Sequence, residues 1–205
     1  MKKTGGLRCM FVDIGGVLGT NGWDHEERKR AAQKFDLDYG VFDERHRLTF
    51  DTYERGKIAL DEYLARAVFY EKRSFTPADF RRFMFAQSKG YPDMLALVAG
   101  LKAKYGLKVV VVSNEGRELN AHRVRKFKLD EFVDCFVSSS FVGLRKPDTE
   151  IFRLALDLAQ VPLKQIVYLE NTPLFAEVAT ELGIRTILHA NANSTRQQLA
   201  ALGLR

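Results

Sequence analysis

Cysteine is scarce in this chain: 205 residues carry only Cys9 and Cys135. Both sit in apolar runs, so they read as two reduced, buried thiols rather than a disulfide framework. Long hydrophobic runs are absent. None approaches the roughly 20 residues that span a bilayer, which excludes a transmembrane helix. The basic start, MKKTGGLRCMFVD, has a short apolar run that Asp13 ends, so it does not read as a signal peptide. Internal repeats and low-complexity segments are also missing. The chain is expected to be cytoplasmic. Acidic residues are outnumbered, with a formal charge of +6 and a pI near 9.3. That balance suits solubility and could attract anions, but does not by itself indicate nucleic acid. The basic run Arg117, Arg123, Arg125, Lys126 and Lys128 reads as the wet face of a helix. Hydrophobic residues at 46% and charged residues at 28% fit a globular domain that needs no disulfide or metal to fold.

What is present is a rhythm. Apolar, β-rich runs occur at 9–12, 107–112, 132–137, 166–169 and 185–188. Their hydrophobicity is continuous, which predicts strands covered on both faces of a parallel sheet. Helical patterns follow at 94–105, 116–127, 148–160, 173–183 and 194–203. Strand–helix alternation predicts an α/β fold with a Rossmann-like, doubly wound parallel sheet. Residues 21–92 break the rhythm. They show no strand, are rich in phenylalanine, and predict helices near 24–36, 43–55, 59–72 and 76–88. The expected organisation is a core of residues 1–20 and 93–205, with a helical insertion at 21–92.

Ligands of such sheets bind beyond the carboxyl ends of the strands. Four runs end there in polar residues: Asp13; Ser113 and Asn114; Arg145 and Lys146 after a short loop; Glu170 and Asn171. Carboxylates are hard oxygen ligands for Mg²⁺. Lysine is a point positive charge, and a hydroxyl beside helix-start N–H groups suits a phosphate. Each element alone is weak; the four in this order are the signal. Around them, His25 is a candidate proton carrier, Asp24 a helix cap, Trp23 a packing residue, and Glu54 and Arg55 groups that could face the site from the insertion.

The segments FVDIGGVL, VVVVSN, LRKPDTEIF and IVYLENTPLFAEVATELG resemble the four motifs of the haloacid dehalogenase-like hydrolase superfamily. YERGKIALDEY at 53–63 resembles a cap segment of its sugar-phosphate phosphatase branch. The resemblance implies a Mg²⁺-dependent phosphatase with a helical cap, acting on a small phosphorylated metabolite and on neither nucleic acid nor membrane. It implies Asp13 as nucleophile and Lys146 as the residue neutralising nucleophile and phosphate. Ser113, Asn114, Lys146 and Gly16 would contact phosphate. Asp13, Glu170, Asn171 and the Gly15 carbonyl would hold the metal. Two positions depart from the pattern. Gly15 stands where such phosphatases carry a second aspartate that moves protons, and Glu170–Asn171 replaces an Asp–Asp pair. A metal-independent 2-haloacid dehalogenase and a phosphate-ligand-binding protein of weakened catalysis are the alternatives. Oligomeric state is not legible.

Overall fold

The structure, a computed structural model, describes residues 6–205. The first five residues of the expected core and of the basic start lie outside that range. Five strands form one parallel sheet: β1 (Cys9–Val12), β2 (Lys108–Ser113), β3 (Cys135–Ser138), β4 (Ile166–Glu170) and β5 (Arg185–Leu188), in the order β3-β2-β1-β4-β5. The α/β expectation holds. Side chains alternate across the pleat even where every residue is apolar. Met10, Val12, Val109 and Val111 enter one core cluster with α5 (Pro92–Tyr105) and α10 (Ala192–Ala201). Cys9, Phe11, Val110 and Val112 enter the other, with α8 (Thr149–Ala159) and α9 (Pro173–Glu181). Both faces are therefore covered, and the strand order reverses beside the central β1.

Strand β3 begins later than the 132–137 run suggested. Phe132 and Val133 follow a 3-10 turn at Leu129–Glu131 and pack into the first core cluster. The Asp134 carboxylate accepts the Val109 N–H at 2.8 Å, which fixes the turn into the strand.

Between β1 and α5 stand α1 (His25–Phe35), α2 (Tyr39–Glu54), α3 (Leu60–Ala67) and α4 (Pro77–Ala86). Asp24 caps α1 by accepting the Glu26 and Glu27 N–H groups. Helix α2 starts earlier than its apolar pattern suggested, because Asp38 caps it by accepting the Val41 N–H. These helices share an apolar cluster centred on Phe80, with Trp23, Phe35 and Phe42 rings 5.0–6.4 Å from one another or from it. Burying one such side chain is worth about 1.5–3 kcal/mol. Trp23 packs here, its indole N–H donating to Tyr63. The connections at both ends of the helical unit run together: Thr20 N–H donates to the Lys89 carbonyl, and the Thr20 hydroxyl to that of Gln87.

Candidate active site

Each site residue is placed by the strand it ends. Asp13 follows β1, Ser113 closes β2 and Glu170 closes β4, so sheet register alone brings them to one rim. Lys146 arrives on the loop after α7 (Ser139–Val142). That loop is held by Asn114, whose amide donates to the Lys146 carbonyl and accepts its N–H, both at 2.8 Å. Asn114 thus clamps the lysine backbone.

Lys146 is fully buried. Its ammonium lies 2.9 Å from Asp13 Oδ2 and 2.7 Å from Glu170 Oε2, and it donates to the Tyr168 hydroxyl at 3.1 Å. Tyr168 donates to the same Glu170 oxygen. The other Glu170 oxygen accepts the Thr172 N–H at 2.9 Å, and Asp13 Oδ1 accepts the Ile14 N–H at 2.7 Å. Burial pushes the Asp13 carboxyl above the ordinary carboxylate range; Lys146 pulls it down, Glu170 pushes it up, and the Ser113 hydroxyl favours the anion. Burial alone would lower the Lys146 ammonium, but Asp13 and Glu170 outweigh it and hold it above its ordinary value. One lysine therefore faces two carboxylates. The ionised site carries net negative charge before any anion arrives, and a further cation is what would let it accept a phosphate.

Asn171 bears directly on that cation. Its Nδ2 donates to Asn21 Oδ1 at 3.2 Å. In that orientation its Oδ1 faces the Gly15 carbonyl at 2.8 Å and Glu170 Oε1 at 3.2 Å, three acceptors with no proton between them. Rotated by half a turn, the amide would instead donate to both oxygens. The second orientation satisfies both oxygens. The donor set fits a hard divalent ion, although only two of its members are carboxylates; among the described residues no cluster of three or more His, Cys, Asp or Glu forms. Gly16 makes room for this arrangement. Its φ is +72°, and a Cβ there would lie 2.1 Å from the Asn171 amide nitrogen. Its visible role is to seat Asn171.

Other expectations fall elsewhere. His25 is exposed and pairs with Glu26 at 3.2 Å, away from these residues. Glu54 does reach the rim, bound by Arg145 at 2.6 Å, while Arg55 pairs with Asp51 within its own helix. Arg123 contradicts the reading of a wet basic face. It is fully buried, its guanidinium pairing with Glu115 at 3.1 Å and donating to the Thr20 carbonyl at 2.7 Å and the Ser88 hydroxyl at 3.2 Å. Only its placement with Leu119 and Phe127, all buried on α6 (Arg117–Phe127), could have signalled this. Tyr168 was also missed; its position two residues before Glu170 puts both on one face of β4.

A family model described as haloacid dehalogenase-like hydrolase matches residues 8–183. The phosphorylated carbohydrates phosphatase of Thermotoga maritima is 24% identical over 193 residues, covering 88% of this chain and 84% of that protein. Bifunctional epoxide hydrolase 2 of Sus scrofa is 26% identical over 124 residues, 58% of this chain, and the matched part is only 22% of its length. A haloacid dehalogenase family enzyme of Bacteroides thetaiotaomicron, crystallised with magnesium and inorganic phosphate, superposes with a TM-score of 0.75 at 22% identity, covering 90% of this chain and 95% of that one. An L-2-haloacid dehalogenase superposes at 0.63 with 18% identity, covering 88% and 83%. At these identities the structural likenesses show the fold alone.

Proposed function

Because the chain belongs to the haloacid dehalogenase-like hydrolases, we propose that it is a phosphatase acting on a small phosphorylated metabolite such as a sugar phosphate, with Asp13 as nucleophile and Mg²⁺ as cofactor. The observation that carries this reading is one fully buried lysine, Lys146, held between two carboxylates, Asp13 and Glu170, at the strand ends. A metal-free attack on a haloacid would use the same aspartate but has no use for Glu170, which would only add a negative charge facing an anionic substrate.

In this reading Asp13 Oδ attacks phosphorus and forms an aspartyl-phosphate, which water then hydrolyses. Lys146 sits where it would neutralise both the nucleophile and the incoming phosphoryl oxygens. Ser113 would donate its hydroxyl to the same group, and Asn114 keeps the lysine in place. Asp13, Glu170, Asn171 and the Gly15 carbonyl would hold Mg²⁺, which supplies charge neutralisation on the phosphoryl group. We take residues 21–92 as a cap closing over this rim, tied to the core through Arg145 and Glu54, and residues 1–20 and 93–205 as the core. A closed cap favours a small substrate over a polymer. Among the described residues no helix is long and apolar enough to cross a membrane, and a cytoplasmic setting accords with the free thiols of Cys9 and Cys135.

The test is phosphate release from a sugar-phosphate panel and an aryl phosphate, with Mg²⁺ and with chelator. Release that needs Mg²⁺ and is lost in Asp13→Asn is the expected result. No release above the Asp13→Asn protein, or halide release from 2-haloacids without metal, would overturn the reading.

A further inference from the structure

The phosphatase reading leaves a proton unassigned. Gly15 has no side chain, yet a leaving alkoxide needs a proton, and such help is typically worth about 10²–10⁴ in rate. A Cβ on Gly15 would fit without a clash, in van der Waals contact at 3.6 Å with Arg123 Nη1 and the Asn21 backbone. That same nitrogen lies 3.1 Å from Glu115 Oε2. Arg123 cannot swing away, since its other nitrogens are bound to Thr20 and Ser88. Glu115 comes two residues after Ser113, and its N–H is fixed on the Ser139 hydroxyl at 2.9 Å. The Glu115 carboxyl is thus held on the guanidinium nitrogen that faces the position where the missing acid would stand.

We propose that Glu115, seated by Arg123 beside the empty side-chain position of Gly15, carries the proton for the leaving group. The proposal rests on the phosphatase reading. As Asp13 Oδ bonds to phosphorus, the ester P–O bond breaks and its electron pair goes to the leaving oxygen, which takes the proton of the Glu115 carboxyl. In the second half the Glu115 carboxylate takes a proton from water while the water oxygen bonds to phosphorus. The P–O bond to Asp13 breaks and its pair returns to the Asp13 carboxylate, so both groups end as they began. The environment of Glu115 suits this traffic. Burial, opposed by Arg123 and reinforced by Glu54 and Asp13, pushes its carboxyl up to about 7, and the phenol of Tyr53 is the other titratable group beside it.

The experiment compares an alkyl phosphate, whose leaving group must be protonated, with 4-nitrophenyl phosphate, whose leaving group need not be. Wild type, Glu115→Gln and the double variant Glu115→Gln/Gly15→Asp are measured by single turnover, with thermal midpoints as a folding control. Glu115→Gln should slow the alkyl ester by about 10²-fold or more, and by at least about tenfold more than it slows the aryl ester. Adding Gly15→Asp should recover most of the alkyl rate, because Arg123 faces that position too. In wild type the alkyl rate should fall above pH about 7, as Glu115 loses its proton, while the aryl rate does not. Equal losses on both esters, or a double variant with no recovery, would overturn the proposal while leaving the phosphatase reading intact. A wild-type protein inert toward both esters would overturn the phosphatase reading itself.

Discussion

Lys146→Met should abolish phosphate release and cost about 3–5 kcal/mol of stability at neutral pH, the usual penalty for removing one partner of a buried ionic cluster. The physical reason is the charge count at the rim. Among the described residues Lys146 is the only cation within bonding distance of Asp13 and Glu170, and it is fully buried. Methionine fills much of the volume, so packing is largely kept and the loss is electrostatic. Two carboxylates would then face each other with the Tyr168 and Ser113 hydroxyls and backbone N–H groups as their remaining donors. The deficit should depend on pH in one direction. Burial already raises the Asp13 carboxyl, and a raised carboxyl costs stability as pH rises through its folded value. Lowering pH lets it take a proton and removes the repulsion, so the gap to wild type narrows in acid. Denaturant titrations at neutral and acidic pH read this directly. A gap independent of pH, or retained phosphate release, would contradict the assignment of Lys146.

Arg123→Met should be nearly as damaging to stability, by about 3–5 kcal/mol, though Arg123 lies on a helix that looks solvated. The substitution leaves Glu115, the Thr20 carbonyl and the Ser88 hydroxyl without their donor. Thr20 and Ser88 lie on the two connections to the helical unit, so the same change loosens both connections. The Glu115 carboxyl holds its proton up to about 7, whereas in the unfolded chain it loses it near the ordinary glutamate value. Between those values the folded state binds more protons, so wild-type stability falls with rising pH. In Arg123→Met the raising groups remain and the opposing guanidinium is gone, so the slope should steepen. Glu115→Gln removes the Glu115 contribution to the slope, and Arg123→Met/Glu115→Gln should recover about 0.5–3 kcal/mol relative to Arg123→Met alone. Additive losses in the double variant would contradict the pairing.

Asp13, Ser113, Lys146 and Glu170 were legible for one reason: each is a polar residue at or just beyond the end of an apolar strand or its following loop, and a parallel sheet brings such ends together. Asn114 was legible as a position, but its hold on the Lys146 backbone was not, because those atoms lie 32 residues away. Tyr168 reads as strand core, and nothing in an unbroken apolar run marks which hydroxyl will find a carboxylate. Arg123 was misread because a basic helix normally turns its charges to water; burying one needs a carboxylate and two oxygens from three separate segments. The start of β3 was misplaced because Phe132 and Val133 are apolar for the core and not for the ladder. The helix boundaries within 21–92 shifted where N-terminal capping residues such as Asp38 act ahead of the apolar pattern.

The central claim is that Asp13 forms a covalent bond to phosphorus. Mixing the protein with Mg²⁺ and an aryl phosphate, quenching in acid within one turnover, and mapping peptides by mass tests it most directly. A phosphoryl group on the peptide containing Asp13, absent from Asp13→Asn, is the result expected here. Phosphate released with no phosphorylated peptide at any quench time, or a phosphoryl group on another residue, would contradict it.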